Sequence, residues 1–293
     1  MTKLFITGIC GFIGRNVAKR ALELGYVVSG ADIKLIKIPG VKVTKADIRN
    51  KKAMLKLTKN VDYVIHLAAV TSNLEFEKNM PYAYDVNVNG FNNVIEAAYR
   101  NRCKKFIYAS SSAVYSNEFS EDTVIDIGRM RNHYAKTKLM NEAVGKSYRL
   151  NNILDAIGLR FFNVYGPGEN EKGNYASIIN IFRKYKKAGK RIVIYGNGKQ
   201  ARDFVYVRDV AEIVLLILNK GKKDLYNIGT GKTVSYNEIA EMIDTKKKKH
   251  VKNLLSTYQH LTKADTKRLL YAIGYYKFVD VRDGILKFAE DNN

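Results

Sequence analysis

Apolar and polar positions along the chain fall into two alternating kinds of segment. Short apolar runs predict β-strands, at Leu4–Thr7, Val27–Ala31, Val61–Leu67, Phe106–Ser110 and Leu154–Phe162. Between them, apolar positions recur three or four residues apart and predict helices, at Asn16–Leu24, Lys51–Lys59, Tyr84–Asn101 and Tyr134–Leu150. Because strands and helices alternate, the sequence predicts an α/β fold built on a doubly wound parallel sheet.

The regular alternation of strands and helices ends after the last of these strands. Asn163–Gly168 opens a region of shorter, mixed elements, which predicts a smaller C-terminal substrate domain over the carboxyl ends of the strands. Within it, Arg202–Leu218 has the pattern of a strand followed by a helix, and we expect this segment to return to the large domain. The predicted division is therefore residues 1–163 plus about 201–221 for the large domain, and 164–200 plus 222–293 for the small one.

A glycine-rich turn interrupts the first strand-to-helix transition. Gly8, Gly11 and Gly14 are spaced GxxGxxG, with Phe12 and Ile13 between the last two, and the next strand ends in Asp32. Such a turn lets backbone N–H groups approach a pyrophosphate, and an acid after the second strand can bind adenosine ribose hydroxyls. The context predicts a dinucleotide site; the alternative is a tight turn without a ligand.

A second motif, Tyr134-x-x-x-Lys138, lies in a predicted helix. Residues four apart share a helix face, so the ammonium of Lys138 is expected to lower the pKa of the Tyr134 phenol and make it available as a base. Together with the glycine turn, this motif predicts a redox enzyme that uses a nicotinamide cofactor.

Length and composition indicate an ordinary globular protein. The chain has 293 residues with 46% hydrophobic content, enough for a full core, and no apolar run long enough for a membrane span. Its two cysteines, Cys10 and Cys103, predict no disulfide framework and are consistent with a reducing cytoplasm. We predict no metal site and no membrane partner.

The net charge of +22 arises from 50 Lys and Arg against 28 Asp and Glu. Such a charge suits nucleic acid, an anionic membrane surface or an anionic small substrate. Apart from Lys246–Lys249 the lysines are dispersed, and no nucleic-acid module accompanies them. We therefore interpret most of them as solvated surface and expect no nucleic-acid partner, with a basic nucleic-acid-binding protein as an alternative.

Further motifs occur in order along nearly the whole chain: Asp47-Ile48, His66–Ala69, Asn87–Gly90, Ser110–Tyr115, Leu159–Asn163 and Arg202–Val207. With the two motifs above, the chain resembles an extended short-chain dehydrogenase/reductase of the nucleotide-sugar epimerase/dehydratase family. The resemblance implies a Rossmann sheet, bound NAD with NADP as an alternative, a nucleoside-diphosphate sugar as substrate, and a homodimer formed by the helices at Tyr84–Asn101 and Tyr134–Leu150.

The resemblance also assigns cofactor-binding residues. Asp47 and Ile48 would hold the adenine, Leu67, Ala68 and Ala69 would line the cofactor, and Asn87 would sit near the nicotinamide side. Each has a structural alternative: Asp47 as a helix cap, the alanines as core, and Asn87 in a turn.

In such relatives a serine at the Ser111 position binds the reacting sugar oxygen, the tyrosine moves its proton, and the lysine tunes the tyrosine and holds the nicotinamide ribose. The 4,6-dehydratases carry Asp-Glu where this chain has Ser112-Ala113. An alanine methyl transfers no proton, so the resemblance favours epimerisation at one carbinol. A cofactor-binding sensor without turnover is the alternative of another class.

Two residues match positions that bind the substrate diphosphate, Asn163 and Arg202, although both could be structural. A second phosphate arginine of the family is replaced here by the run Lys246–Lys252. Ile194–Gln200, which includes Tyr195, resembles UDP-hexose 4-epimerases. Glu169–Ser177, which includes Lys172, and Tyr258–Asp265 resemble ADP-glycero-manno-heptose 6-epimerases. We favour the UDP-hexose 4-epimerase.

Overall fold

The computed structural model describes residues 1–71, 73–115, 119–128, 130–169, 176–244, 248–252 and 260–290. A seven-stranded parallel sheet forms its centre. Its strands are β1 (Lys3–Thr7), β2 (Val27–Asp32), β3 (Lys42–Lys45), β4 (Tyr63–His66), β5 (Lys105–Ser111), β6 (Ala156–Phe161) and β11 (Leu225–Ile228).

The strand order is β3-β2-β1-β4-β5-β6-β11, and every neighbouring pair is parallel. The order reverses between β1 and β4, because the chain winds first to one side of β1 and then to the other. In open α/β sheets, ligands bind at the carboxyl ends of the strands beside such a reversal. The predicted doubly wound α/β fold is confirmed.

Helices cover both faces of the sheet, which is why its strands are apolar on both sides. One face packs against α1 (Phe12–Glu23), α8 (Val207–Lys220) and α10 (Lys267–Ile273). The other packs against α2 (Lys51–Leu57), α5 (Gly90–Arg100) and α6 (His133–Leu150). Two short helices, α3 (Asn73–Lys78) and α4 (Met80–Tyr84), and a π-helical turn at Asp85–Asn89 precede α5.

A third apolar cluster lies in the C-terminal region. It is built from α7 (Ile178–Lys187), α9 (Tyr236–Ile243) and α11 (Val281–Glu290) with short strands. The short strands of the C-terminal region are β7 (Asn163–Tyr165), β8 (Ile192–Tyr195), β9 (Ala201–Arg202), β10 (Phe204–Tyr206), β12 (Val234–Ser235), β13 (Lys248–Val251) and β14 (Leu261–Thr262). Where the chain is described, none of its helices has the length and apolarity needed to cross a membrane.

The structure corrects one predicted domain boundary. Strand β11 and helix α10 fall in residues 222–293, which the sequence assigned to the small domain, yet β11 pairs with β6 and Leu269 and Ile273 pack into the core of the large sheet. The reason is that α8 returns the chain to the sheet edge, where the next apolar strand can complete the parallel pairing. The division into two domains otherwise stays a prediction.

Candidate active site

A cavity of about 530 Å³ opens at the carboxyl ends of the strands, beside the reversal of strand order. The glycine turn forms part of its wall, and Tyr134 and Lys138 of the second motif form another part. The predicted residues that line it are Gly8, Gly11, Phe12, Ile13, Gly14, Asp32, Asp47, Ile48, Leu67, Ala68, Ala69, Ser111, Tyr134 and Lys138. Folding therefore brings together residues that are more than 100 positions apart in the sequence.

Two glycines of the turn, Gly8 and Gly14, leave no room for a side chain. Gly8 has φ of +69°, and a Cβ there would lie 2.6 Å from the backbone nitrogen of Ala68; a Cβ on Gly14 would lie 2.2 Å from the carbonyl oxygen of Gly8. Helix α1 begins after Gly11, which supplies no side-chain cap. The first-turn N–H groups of a helix carry partial positive charge, so this wall fits an anionic pyrophosphate.

Asp32 stands at the end of β2 on the rim of the cavity. Its carboxylate accepts hydrogen bonds from the backbone N–H of Cys10 and of Lys34, both 3.0 Å long. Two backbone donors fix the carboxylate, and a fixed acid at this strand end fits the hydroxyls of an adenosine ribose.

These contacts predict a cofactor preference. The purified protein is expected to bind NAD at least ~10-fold more tightly than NADP, because Asp32 would repel a 2′-phosphate and tenfold needs only about 1.4 kcal/mol. Isothermal titration with each dinucleotide measures this. Asp32→Ala should abolish the preference, whereas Lys34→Ala, which changes a lining residue of opposite charge, should strengthen it. Tighter binding of NADP by the unaltered chain would contradict the prediction.

The part of the cavity predicted to hold the adenine is shaped by Asp47 and its neighbour Arg49. Arg49 donates from Nε and Nη2 to the Asp47 carboxylate, at 3.0 and 2.7 Å, and lowers the pKa of that carboxyl. Its guanidinium also lies 4.7 Å from the ring centroid of Tyr82, a lining residue that sequence reasoning missed. The available signal was Asn79, whose side chain caps α4, with Pro81 in the first turn of that helix.

Asn87 contributes from behind the cavity wall. It lies in the π-helical turn, where its side chain accepts from the N–H of Val70 at 2.8 Å and donates to the Val70 carbonyl oxygen at 2.9 Å. It also donates to Thr137 Oγ1 at 3.1 Å. These contacts hold the Leu67–Thr71 loop against α6, so the Asn87 amide shapes the wall and is not among the lining groups.

Tyr134, Lys138 and Ser111 meet where α6 crosses the end of β5. Lys138 is 2% exposed, and its Nζ lies 5.6 Å from the Tyr134 ring centroid and donates to the Ala109 carbonyl oxygen at 2.9 Å. The Ser111 hydroxyl accepts from the N–H of Ala113 at 3.1 Å, capping the 3₁₀ turn Ser112–Val114. The predicted catalytic residues are thus neighbours in space.

One electrostatic expectation is wrong for the chain by itself. Burial raises the pKa of Tyr134, and the effect that opposes it is a hydrogen bond with Ser111. Burial also lowers the pKa of Lys138 to about 8. The four-residue spacing correctly predicted that the ammonium lies on the same helix face as the phenol. At 5.6 Å from the ring, however, the ammonium does not offset the rise in the phenol pKa that burial causes.

The predicted substrate residues Asn163 and Arg202 lie near each other but, in the described chain, are not among the residues that line the cavity. Asn163 donates to the carbonyl oxygen of Asp203 and to Thr262 Oγ1, both at 3.2 Å, and Thr262 is the register partner of Arg202 in β14 and β9. Arg202 is buried and lies 5.7 Å from the Tyr236 ring centroid. Asn163 and Arg202 are therefore brought to one place.

Tyr195 ends β8, with a 56% exposed side chain, and its carbonyl oxygen accepts from Gln200 Nε2 at 2.8 Å. Tyr195 is not among the described residues that line the cavity. Lys172 lies outside the described residues, as do residues 258 and 259 of the second heptose-epimerase-like segment, Tyr258–Asp265. His133, next to Tyr134 in sequence, forms a 3.0 Å hydrogen bond with the Tyr84 hydroxyl.

No cluster of three or more metal-ligating side chains occurs within the described ranges.

A doubly wound fold with this cavity and tyrosine–lysine pair defines a nicotinamide-dependent enzyme of the short-chain dehydrogenase/reductase type. Residues 4–229 match the NAD dependent epimerase/dehydratase family, and the chain belongs to that family. The predicted resemblance and the prediction of an enzyme are thereby confirmed.

Named relatives include the UDP-glucuronate 4-epimerase of Thermodesulfobacterium geofontis, 30% identical, with 96% of this chain and 93% of the relative covered. The structure is similar to the UDP-N-acetylglucosamine 4-epimerase of Methanobrevibacter ruminantium, with a TM-score of 0.89, 26% identity, and 99% and 98% of the two chains covered. It is also similar to the ADP-L-glycero-D-manno-heptose-6-epimerase of Helicobacter pylori, with a TM-score of 0.84, 28% identity, and 99% and 95% covered.

Proposed function

We propose that the protein is an NAD-dependent nucleotide-sugar epimerase, and that its substrate is a UDP-hexose epimerised at C4. The observation that carries this proposal is the meeting of Ser111, Tyr134 and Lys138 in the cavity that the glycine turn and Asp32 also line, with Ala113 in the turn that follows Ser111. The relatives named above, two of which are 4-epimerases of UDP-sugars, support it.

Each residue has a task in this proposal. The Ser111 hydroxyl orients the reacting oxygen of the sugar, and the Tyr134 side chain, as phenolate, accepts its proton and later, as phenol, returns it. Lys138, buried beside the phenol, holds the ribose of the cofactor and stabilises phenolate. When bound, NAD supplies the hydride acceptor and a cationic ring that favours phenolate. Asn163 and Arg202 offer an amide and a guanidinium to the substrate diphosphate.

The alternative substrate is ADP-glycero-manno-heptose, supported by the similarity to the heptose epimerase. A homodimer through α5 and α6, and a cytoplasmic location, also remain predictions. Turnover by the purified protein of UDP-glucose or UDP-galactose, against ADP-heptose, distinguishes the two substrates. Rapid turnover of ADP-heptose alone would overturn the UDP-hexose proposal.

The reaction course gives a sharper test. With a sugar nucleotide deuterated at the epimerised carbon, product formed in ordinary water is expected to keep the label at that carbon. The reason is that Ser112 and Ala113 provide no second acid or base beside the triad. Proton and deuterium NMR of the product measure retention. Loss of deuterium to water would indicate an enolising mechanism, and accumulation of NADH in proportion to product would indicate a simple dehydrogenase.

A further inference from the structure

A buried polar cluster lies behind the catalytic face of α6. The Ser110 hydroxyl donates to Glu142 Oε1 at 2.5 Å, and Arg160 donates from Nε and Nη2 to the two carboxylate oxygens at 2.8 and 2.7 Å. The side chains of Arg160 and Glu142 are only 4% and 11% exposed. Removing an ion pair from water is costly, so the pair is weak evidence for stability and invites a functional explanation.

The cluster adjoins the catalytic groups. Glu142 follows Lys138 by four residues and Tyr134 by eight, so all three lie on one face of α6. Ser110 immediately precedes Ser111 in β5. The Glu142 carboxylate raises the pKa of Lys138 and so opposes burial, which lowers it to about 8.

Other titratable groups face the Lys138 ammonium from the surrounding elements. His66 of β4 is neutral, because burial and the charge of Lys138 lower its pKa to about 3. The Tyr134 phenol is neutral because its pKa is raised. Arg160 of β6 lies behind Glu142 and is paired with it. Within the described residues, Glu142 is thus the anion whose charge acts on Lys138.

We propose that Glu142 is a positioning residue that keeps the buried Lys138 ammonium charged, and that Arg160 limits this effect by sharing the carboxylate. The role for Lys138 in catalysis rests on the proposed function, but the electrostatic coupling between Glu142 and Lys138 does not. Arg160 also lies 4.6 Å from the Tyr115 ring centroid. The pair therefore contacts both sides of the segment that carries Ser111.

Two single variants test the coupling in opposite directions. In the full chain labelled with ¹³Cε-lysine, the Lys138 resonance is identified by its loss in Lys138→Met, and its titration midpoint is followed by NMR. Glu142→Gln is expected to lower that midpoint by about one pH unit or more, because it removes the favourable anion. Arg160→Gln is expected to raise it, because the carboxylate then acts on Lys138 alone. A merely structural role would not shift the midpoint in opposite directions, and shifts of the same sign, or none, would overturn the proposal.

Each single variant leaves a buried charge without its partner, which destabilises the fold. The double variant Glu142→Gln/Arg160→Gln removes both charges, so it provides a test in a chain that has no unpaired charge at this place. Its midpoint is expected to lie below that of the unaltered chain and above that of Glu142→Gln. A midpoint at or above the unaltered value would overturn the proposal. The control is Glu96→Gln, which removes a surface carboxylate that pairs with Lys51 and Arg100 and should leave the midpoint unchanged.

With active enzyme, the alkaline limb of kcat/KM is expected to follow the same midpoints, moving toward acid in Glu142→Gln. The NMR titration needs neither substrate nor turnover. If the midpoints shift as expected while no nucleotide sugar is epimerised, the proposed function fails and the coupling stands. If turnover is found and the midpoints do not shift, the coupling fails and the function stands.

Discussion

Replacing Tyr134 with phenylalanine is expected to lower kcat at least ~100-fold while the fold and NAD binding are retained. The substitution removes one hydroxyl from a ring that also packs edge-on against Phe76, with ring centroids 6.4 Å apart, so the packing surface survives. What is lost is the proton acceptor beside Ser111 and Lys138. Steady-state kinetics with the substrate found to be turned over, together with NAD titration and thermal unfolding, separate these effects.

The matched control is Tyr84→Phe. Its hydroxyl bonds to His133 at 3.0 Å, next to Tyr134 in sequence, but Tyr84 does not line the cavity. This variant should keep kcat within ~3-fold of the unaltered chain. Near-normal turnover by Tyr134→Phe would remove the phenol from the mechanism, and loss of NAD binding in that variant would show that the ring serves the cofactor instead.

The sheet was predictable because its strands are buried on both faces and therefore read as apolar runs. The predicted strands fall on β1, β2, β4, β5 and β6, with ends shifted by a few residues. Strand β3 (Lys42–Lys45) was missed, since it lies at a sheet edge, has a lysine at each end and contains no apolar run. The π-helical turn was also missed, because nothing local distinguishes it from the first turns of a helix.

For the site, motif spacing identified which groups meet but not their electrostatics. Gly8, Asp32, Ser111, Tyr134 and Lys138 all line one cavity, as expected for residues at the carboxyl ends of parallel strands and the helices beside them. The pKa of a phenol or ammonium depends on how much water its surroundings exclude. That quantity follows from packing in three dimensions, and so the upward shift of the Tyr134 pKa could not be predicted from spacing.

The same limit applies to Arg160. In the sequence it is one position in an apolar strand, where a charged residue looks out of place. Only the crossing of α6 over β5 and β6 shows that Glu142 accepts two hydrogen bonds from its guanidinium and a third from the Ser110 hydroxyl. Likewise, the dispersed lysines that give the chain its charge say nothing about Lys138, which is the lysine found among the buried groups of the described chain.

Two substitutions in the glycine turn are expected to have different large effects, one on the stability of the fold and the other on NAD binding. Gly14→Ala is expected to reduce the free energy of unfolding by about 3 kcal/mol, since the new Cβ would lie 2.2 Å from backbone. Gly11→Ala meets its nearest atom at 3.1 Å and has an ordinary φ of −73°, so the fold should persist. It should still weaken NAD binding at least ~10-fold, because a methyl group would stand where the pyrophosphate must approach the backbone.

Urea unfolding of the nucleotide-free chain and NAD titration measure the two effects separately. Gly25→Ala is the control: its φ is +80° but no atom lies within 4 Å of the added Cβ, so it reports backbone strain alone, on the order of 1 kcal/mol, and should leave NAD binding unchanged. If Gly11→Ala binds NAD as tightly as the unaltered chain, the pyrophosphate does not lie against this turn. The glycines would then serve only the close packing of α1 on β1, and the cofactor would have to enter the cavity in another orientation.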